Sequence, residues 1–233
     1  NSSGDTMVLG TASSNTITRT YVSHGGTSAT LWLNVGANYN TISWSTLLNN
    51  ASNGEAALAF GWINGSSYNV VTNSYMSNPS GTAVAINGGS TNNTISLSTI
   101  TSGAVNWPAL YFENCSSNTV LDSYVQGSTA VWVFHSTGSA IGNSVLVATN
   151  TAGSAVWVDS GSVNLTLTSS TFKGGSQGAG IFVSKSNSGF ITLTSNTITG
   201  GRWGVSIATM TCGACSGNVS ITSMTYSSGL SAG

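Results

Sequence analysis

An eight-residue pattern returns nine times along the chain, and no other sequence feature restricts its possible folds as strongly. Residues 15–22 (NTITRTYV), 40–47 (NTISWSTL), 69–76 (NVVTNSYM), 93–100 (NTISLSTI), 118–125 (NTVLDSYV) and 143–150 (NSVLVATN) carry it with a leading Asn. Residues 165–172 (LTLTSSTF), 191–198 (ITLTSNTI) and 219–226 (VSITSMTY) carry it with an aliphatic residue in that place. The spacing of about 21–29 residues is the length of one solenoid coil. After each copy comes a Gly/Ser-rich turn and a second short alternating strand: 31–33, 58–60, 84–86, 110–112, 131–133, 156–158, 181–183 and 205–207, with 7–9 in the same slot ahead of the first coil. Period-2 alternation and β-branched residues predict strand throughout, and no segment has a helical period. Both strands are expected to stack on their counterparts one coil away, about 4.8 Å distant, around a shared apolar interior.

The consensus Asn-x-Ile-x-x-Ser-x-Ile resembles the repeat of the right-handed, pectate-lyase-like parallel β-helices, over nearly the whole chain. The resemblance implies an all-β, single-stranded right-handed parallel β-helix (a solenoid) of about 8–9 coils. It also implies an inward asparagine ladder of Asn15, Asn40, Asn69, Asn93, Asn118 and Asn143. The expected segments are an N-terminal half-coil at 1–14, the β-helix at 15–226 and a tail at 227–233. Neither end supplies an amphipathic helix, so no capping helix is expected and the coil edges are open to head-to-tail stacking or to further coils of a longer solenoid. This architecture hosts lyases, hydrolases, adhesins and fibres, so the resemblance speaks for fold and leaves function to the residues.

Outward residues line up as columns. Thr16, Thr41, Thr94, Thr119, Ser144, Thr166, Thr192 and Ser220 are expected as one hydroxyl row, interrupted at Val70. Thr18, Ser43, Thr72, Ser96, Thr168, Thr194 and Thr222 form its neighbour, interrupted by Leu121 and Leu146. Such rows resemble the ice-binding face of some β-helical antifreeze proteins, and any solvated sheet rich in Thr has them too. The outward column of the second strand reads Trp32, Ala59, Ala85, Tyr111, Trp132, Trp157, Phe182 and Ser206. Four consecutive coils are thus expected to expose Tyr111, Trp132, Trp157 and Phe182 as an aromatic stripe, with Glu113, Phe134, Asp159 and Ser184 in the adjacent column. An exposed apolar patch edged by carboxylates marks a ligand platform or an interface. Its rings suit sugar faces, and Trp and Tyr also anchor subunit contacts. A covering loop is the plainer alternative.

Charge narrows the function classes. Only 4% of residues are charged and the formal net charge is −1, against about a quarter charged in ordinary soluble domains. There is no basic stripe to neutralise phosphates, which excludes nucleic acid as a partner. No run of 18 apolar residues is present, so no membrane span is expected. Polarity carried by neutral hydroxyls and amides points to an extracellular or cell-surface protein whose self-association is weakly opposed by charge. A chain beginning at Asn1 rather than Met reads as a processed export product or a cloning choice.

The cysteines are Cys115, Cys212 and Cys215. The CxxC spacing of Cys212 and Cys215 is read first as a short disulfide, with two free thiols or a metal or redox site as alternatives. Two further zinc ligands at matching spacing are missing, and His24 and His135 lie far away in sequence, so no metal or cofactor is expected. Asn-x-Ser/Thr sequons at Asn50, Asn64, Asn92 and Asn164 are candidate glycosylation sites. The best carboxylate pair, Glu113 and Asp159, lies two coils apart in one column, roughly 9–10 Å, near the upper end of an inverting glycosidase pair. Phe134 stands between them, and Lys185 beside Asp159 reads as a local ion pair. The scattered carboxylates predict that the chain is not an enzyme. The expected function is a non-catalytic extracellular structural protein, a subunit of a filament, sheath or surface layer. It would assemble with itself through open coil edges and laterally through Trp32, Tyr111, Trp132, Trp157 and Phe182 with Glu113 and Asp159. The alternative is a polysaccharide-binding adhesin module using the same stripe; ice binding and a carbohydrate-active lyase or hydrolase follow.

Overall fold

A computed structural model describes residues 4–50, 55–62, 64–184, 190–208 and 219–226, and all regular structure in them is β-strand. The strands form three parallel sheets of nine strands each. The first contains Met7–Gly10, Leu31–Asn34, Leu58–Phe60, Val84–Ile86, Leu110–Glu113, Val131–Phe134, Val156–Asp159, Ala179–Val183 and Trp203–Ile207. The second runs from Thr16–Thr18 to Val219–Thr222, and the third from Tyr21–His24 to Thr225–Tyr226. Each coil supplies one strand to every sheet and pairs only with the coils before and after it, which makes the chain a solenoid. Among the described residues no helix caps it, and none is long and apolar enough to cross a membrane.

Three sheets, rather than two, arise because the eight-residue repeat is broken in its middle. Its fifth residue adopts a left-handed backbone in coil after coil: Arg19 (φ 49°), Trp44 (53°), Asn73 (48°), Leu97 (50°) and Asp122 (48°). That residue turns the chain from the second sheet to the third and points its side chain outward. The serine that follows turns inward. Ser45, Ser74, Ser98, Ser123, Ser144 and Ser170 each accept the backbone N–H of the preceding coil at 3.1–3.2 Å. Ser45 passes its own proton to the Ser43 carbonyl at 2.8 Å, and the later serines repeat the arrangement.

The asparagine ladder runs along the opposite corner. Asn15, Asn40, Asn69 and Asn93 donate both a backbone and a side-chain N–H to the Oδ1 of the asparagine one coil on, at 2.8–3.0 Å. It ends at Asn118. The expectation that Asn143 continues it is corrected by the register, in which Thr119 faces Ala140, Val120 faces Ile141 and Leu121 faces Gly142. Ser139 occupies the ladder position, while Asn143 is the left-handed turn residue at φ 48°. Ala140 and Gly142 therefore take the places expected for Ser144 and Leu146 in the hydroxyl rows, and both of those residues are buried. Between the corners the inward columns are fully buried, among them Ile42, Val71, Ile95, Val120, Ile141, Leu167 and Leu193 of the second sheet. Each such side chain contributes about 1.5–3 kcal/mol, and the even spacing keeps one core continuous along the axis.

Candidate functional site

The first sheet presents its outward column in the expected order. Val8, Trp32, Ala59, Ala85, Tyr111, Trp132, Trp157, Phe182 and Ser206 are in register across successive coils. The rings of four consecutive coils lean on one another: Tyr111 and Trp132 at 5.4 Å, Trp132 and Trp157 at 5.1 Å, Trp157 and Phe182 at 5.7 Å between centroids. Trp132 and Trp157 lie only 17° from parallel. All four rings are half-buried, not openly exposed as expected. A coil spacing of about 4.8 Å lets neighbouring rings cover each other's faces, so this part of the stripe offers mainly edges.

The stack is interrupted where the column carries Ala59 and Ala85. With no ring on those two coils, a cleft of about 540 Å³ opens on the sheet, bounded along the axis by Trp32 and Tyr111. Trp62 and Trp107 form part of its walls. The Trp32 indole N–H donates to the Gly61 carbonyl at 3.2 Å, fixing that ring at one end. Gly88, at φ +60°, supports the Trp62 wall: a Cβ there would lie 2.8 Å from the Trp62 backbone. The Trp107 carbonyl accepts the Ser128 hydroxyl at 3.0 Å. Beyond Trp107 a second cleft of about 330 Å³ continues along the sheet past Trp132, Trp157 and Asn150.

Three carboxylates line the first cleft: Asp5 from the N-terminal segment, Glu55 from a turn and Glu113 from the sheet. The Asn78 amide donates to the Glu55 carbonyl, which fixes that turn against the next coil. Burial, and after it the neighbouring Asp5 charge, raises the Glu55 carboxyl above its ordinary 4.5. Tyr111 is pushed well above the ordinary phenol range, first by burial and then by the Glu113 and Asp159 carboxylates, with its hydroxyl bonded to Glu113. Asp159 stands two coils from Glu113 with Phe134 between, as expected. It is taken up by its own surroundings, accepting from the Ser160 backbone at 2.8 Å and from the Ser160 and Ser184 hydroxyls.

The sequence-predicted residues thus divide. Trp32, Tyr111 and Glu113 meet at the first cleft and Trp132 and Trp157 at the second, while Phe182 and Asp159 line neither. Sequence reasoning missed Asp5, which precedes the first strand, and Glu55, Trp62 and Trp107, which come from segments between strands without periodicity; the two alanines within an aromatic column were the available signal. Asn50, Asn64, Asn92 and Asn164 are exposed. Cys115 is a buried free thiol bonded to Ser136 at 3.2 Å, and burial pushes it up to about 11. Cys212, Cys215, Lys185 and the 227–233 tail lie outside the described residues.

A family model described as a right handed beta helix region matches residues 62–223. No curated protein sequence matches the chain. Among solved structures, it resembles the mannuronan C-5 epimerase AlgE6 A-module of Azotobacter vinelandii at 16% identity and a TM-score of 0.58, over 92% of this chain and 65% of that one. It resembles the Agl-KA catalytic domain at 11% identity and a TM-score of 0.54, over 96% of this chain and 45% of that one. Pectate lyase Pel9A is matched at 12% identity and a TM-score of 0.45, over 93% of this chain and 69% of that one. The chain thus spans less than two thirds of the first two, and identities this low extend the likeness to the fold alone. The expectation of a chain that is not an enzyme is corrected by these matches, because the same fold carries an epimerase module and a catalytic domain. Its premise also fails: carboxylates on sequence-distant segments converge on one cleft.

Proposed function

The chain belongs to the right-handed β-helix family, and on that premise we propose that it engages a polysaccharide laid along the first sheet, outside the cytoplasm. One observation carries the reading. The aromatic column is interrupted by Ala59 and Ala85, so that Trp32 and Tyr111 bound a cleft deep enough to seat sugar rings. Aromatic walls suit the apolar faces of sugars, and a few polar groups set orientation, the usual make-up of a ligand site. The second cleft beyond Trp107 lengthens the track, as a polymer requires. Similarity in fold to a mannuronan C-5 epimerase module supports a polysaccharide ligand. Few charges, a surface rich in hydroxyls and exposed sequons at Asn50, Asn64, Asn92 and Asn164 support an extracellular or cell-surface setting.

The test is retention of the chain on a panel of insoluble polysaccharides, with Trp62→Ala and Trp107→Ala as variants. Both side chains line the cleft from turns, so the solenoid should tolerate their loss. The reading expects at least one polysaccharide to retain the parent chain and both variants to elute about tenfold more readily. Retention unaffected by either substitution would remove the cleft from the account. The weakly charged surface favours homo-assembly as a second reading, head-to-tail through the coil ends. Electron microscopy over a concentration series decides it: fibres support assembly, and monodisperse short rods remove it.

A further inference from the structure

Resting on the groove reading above, we infer that the first cleft selects a cationic glycan, a polymer of amino sugars with free ammonium groups, over neutral or uronic-acid polymers. Two features of the same cavity carry this. Its walls include the rings of Trp32, Trp62, Trp107 and Tyr111, and an ammonium group held over an aromatic face is attracted by the ring quadrupole. Asp5, Glu55 and Glu113 line the same space.

Among the described residues lining either cleft there is no Lys, Arg or His. Lys173 belongs to the third sheet, Arg19 turns the chain between the second and third sheets, and Arg202 lies over the Trp203 ring at 4.3 Å. A cleft with walls of low dielectric and charge of a single sign focuses potential into its interior. The Glu55 carboxyl is raised first by burial and then by the like charge of Asp5. A ligand ammonium would relieve that repulsion. A uronate would add a further like charge at close range, which complementary interfaces avoid. The cleft therefore differs in preference from a site for mannuronan, although the fold resembles that of a mannuronan epimerase module.

Calorimetric titration of the full chain with three soluble hexamers of matched length tests the inference: glucosamine, N-acetylglucosamine and mannuronate. At about pH 6 the amines are protonated and ordinary carboxylates are ionised. The glucosamine hexamer should bind at least about tenfold more tightly than its acetylated counterpart and lose that advantage as salt is raised. Asp5→Asn combined with Glu55→Gln should bring the two within about twofold of each other. Equal or tighter binding of the acetylated or mannuronate hexamer would overturn the charge selectivity and leave the groove reading standing. An advantage that survives the double substitution would also overturn it. Failure of all three hexamers to bind would overturn the inference too, and the groove reading would be decided by the polysaccharide panel.

Discussion

Trp32 and Tyr111 occupy one outward column three coils apart, with nothing larger than Ala59 and Ala85 between them. In the same column Trp132 and Trp157 are adjacent and stack at 5.1 Å. One row of positions on one sheet thus does two things. Where rings follow one another they cover each other's faces; where two alanines intervene, ring surface is left for a ligand.

The stacked half should matter to stability more than to binding. Trp157→Ala removes contacts with both Trp132 and Phe182. Each aromatic pair is worth roughly 1 kcal/mol beyond burial, so a loss of about 2–3 kcal/mol is expected by urea unfolding. Retention on polysaccharide should fall by less than the tenfold expected of Trp62→Ala or Trp107→Ala, under conditions where the variant stays folded. A stability change under 0.5 kcal/mol would show that the stack is not structural.

The ladder register makes a paired prediction. Asn69→Ala strips acceptors from Asn40 and leaves buried donors unpaired, with an expected cost of about 2–4 kcal/mol. Asn143 holds a left-handed turn at φ 48°, so Asn143→Gly should leave stability within about 0.5 kcal/mol. Equal losses from both substitutions would restore Asn143 to the ladder and contradict the register.

That contrast shows what the sequence makes legible. Period and alternation suffice for the coils, the core columns and the order of the outward aromatic residues, because each coil repeats the same physical demands. They fail at 139–150, where SAIGNSVL and NSVLVATN both fit the pattern. Burial of Ile141 and Leu146 decides for the first, and Asn143 then suits the left-handed turn. The cleft was illegible for a different reason. Asp5 precedes the first strand, while Glu55, Trp62 and Trp107 come from connections whose lengths vary between coils, and periodicity carries no information about where such side chains land.

The Glu55 carboxyl predicts a pH dependence. Its folded-state value lies above the ordinary 4.5, so the folded chain holds this proton more tightly than the unfolded chain does. The stability it contributes is fully present below about pH 4.5 and is lost as pH rises through the folded value. Relative to Glu55→Gln, the parent chain should therefore lose stability on going from about pH 4 to pH 7. Asp5→Asn should shrink the difference, since Asp5 is the second cause of the shift. Urea midpoints of the three chains across this range provide the check, and a difference that grows in the parent's favour with pH would contradict the burial of Glu55.

Cys115 should be chemically silent in the folded chain. It is buried, and its thiol is pushed up to about 11, which leaves only about one part in a thousand as thiolate at pH 8. Iodoacetamide at that pH should leave Cys115 unmodified for hours in buffer and alkylate it within minutes in strong denaturant, as read by peptide mass mapping. Rapid labelling in buffer would mean that the coil carrying Cys115 opens readily.

The cleft itself is tested most directly by filling it. Ala85→Trp places a ring next to Tyr111 in the column and extends the existing stack into the gap. Ala85 is partly exposed, so the added ring projects outward and leaves the core columns untouched. The Ala85→Trp chain should be at least as resistant to urea as the parent and no longer retained on the polysaccharide that retains the parent. Undiminished retention by the folded Ala85→Trp chain would contradict the placement of the glycan in this cleft.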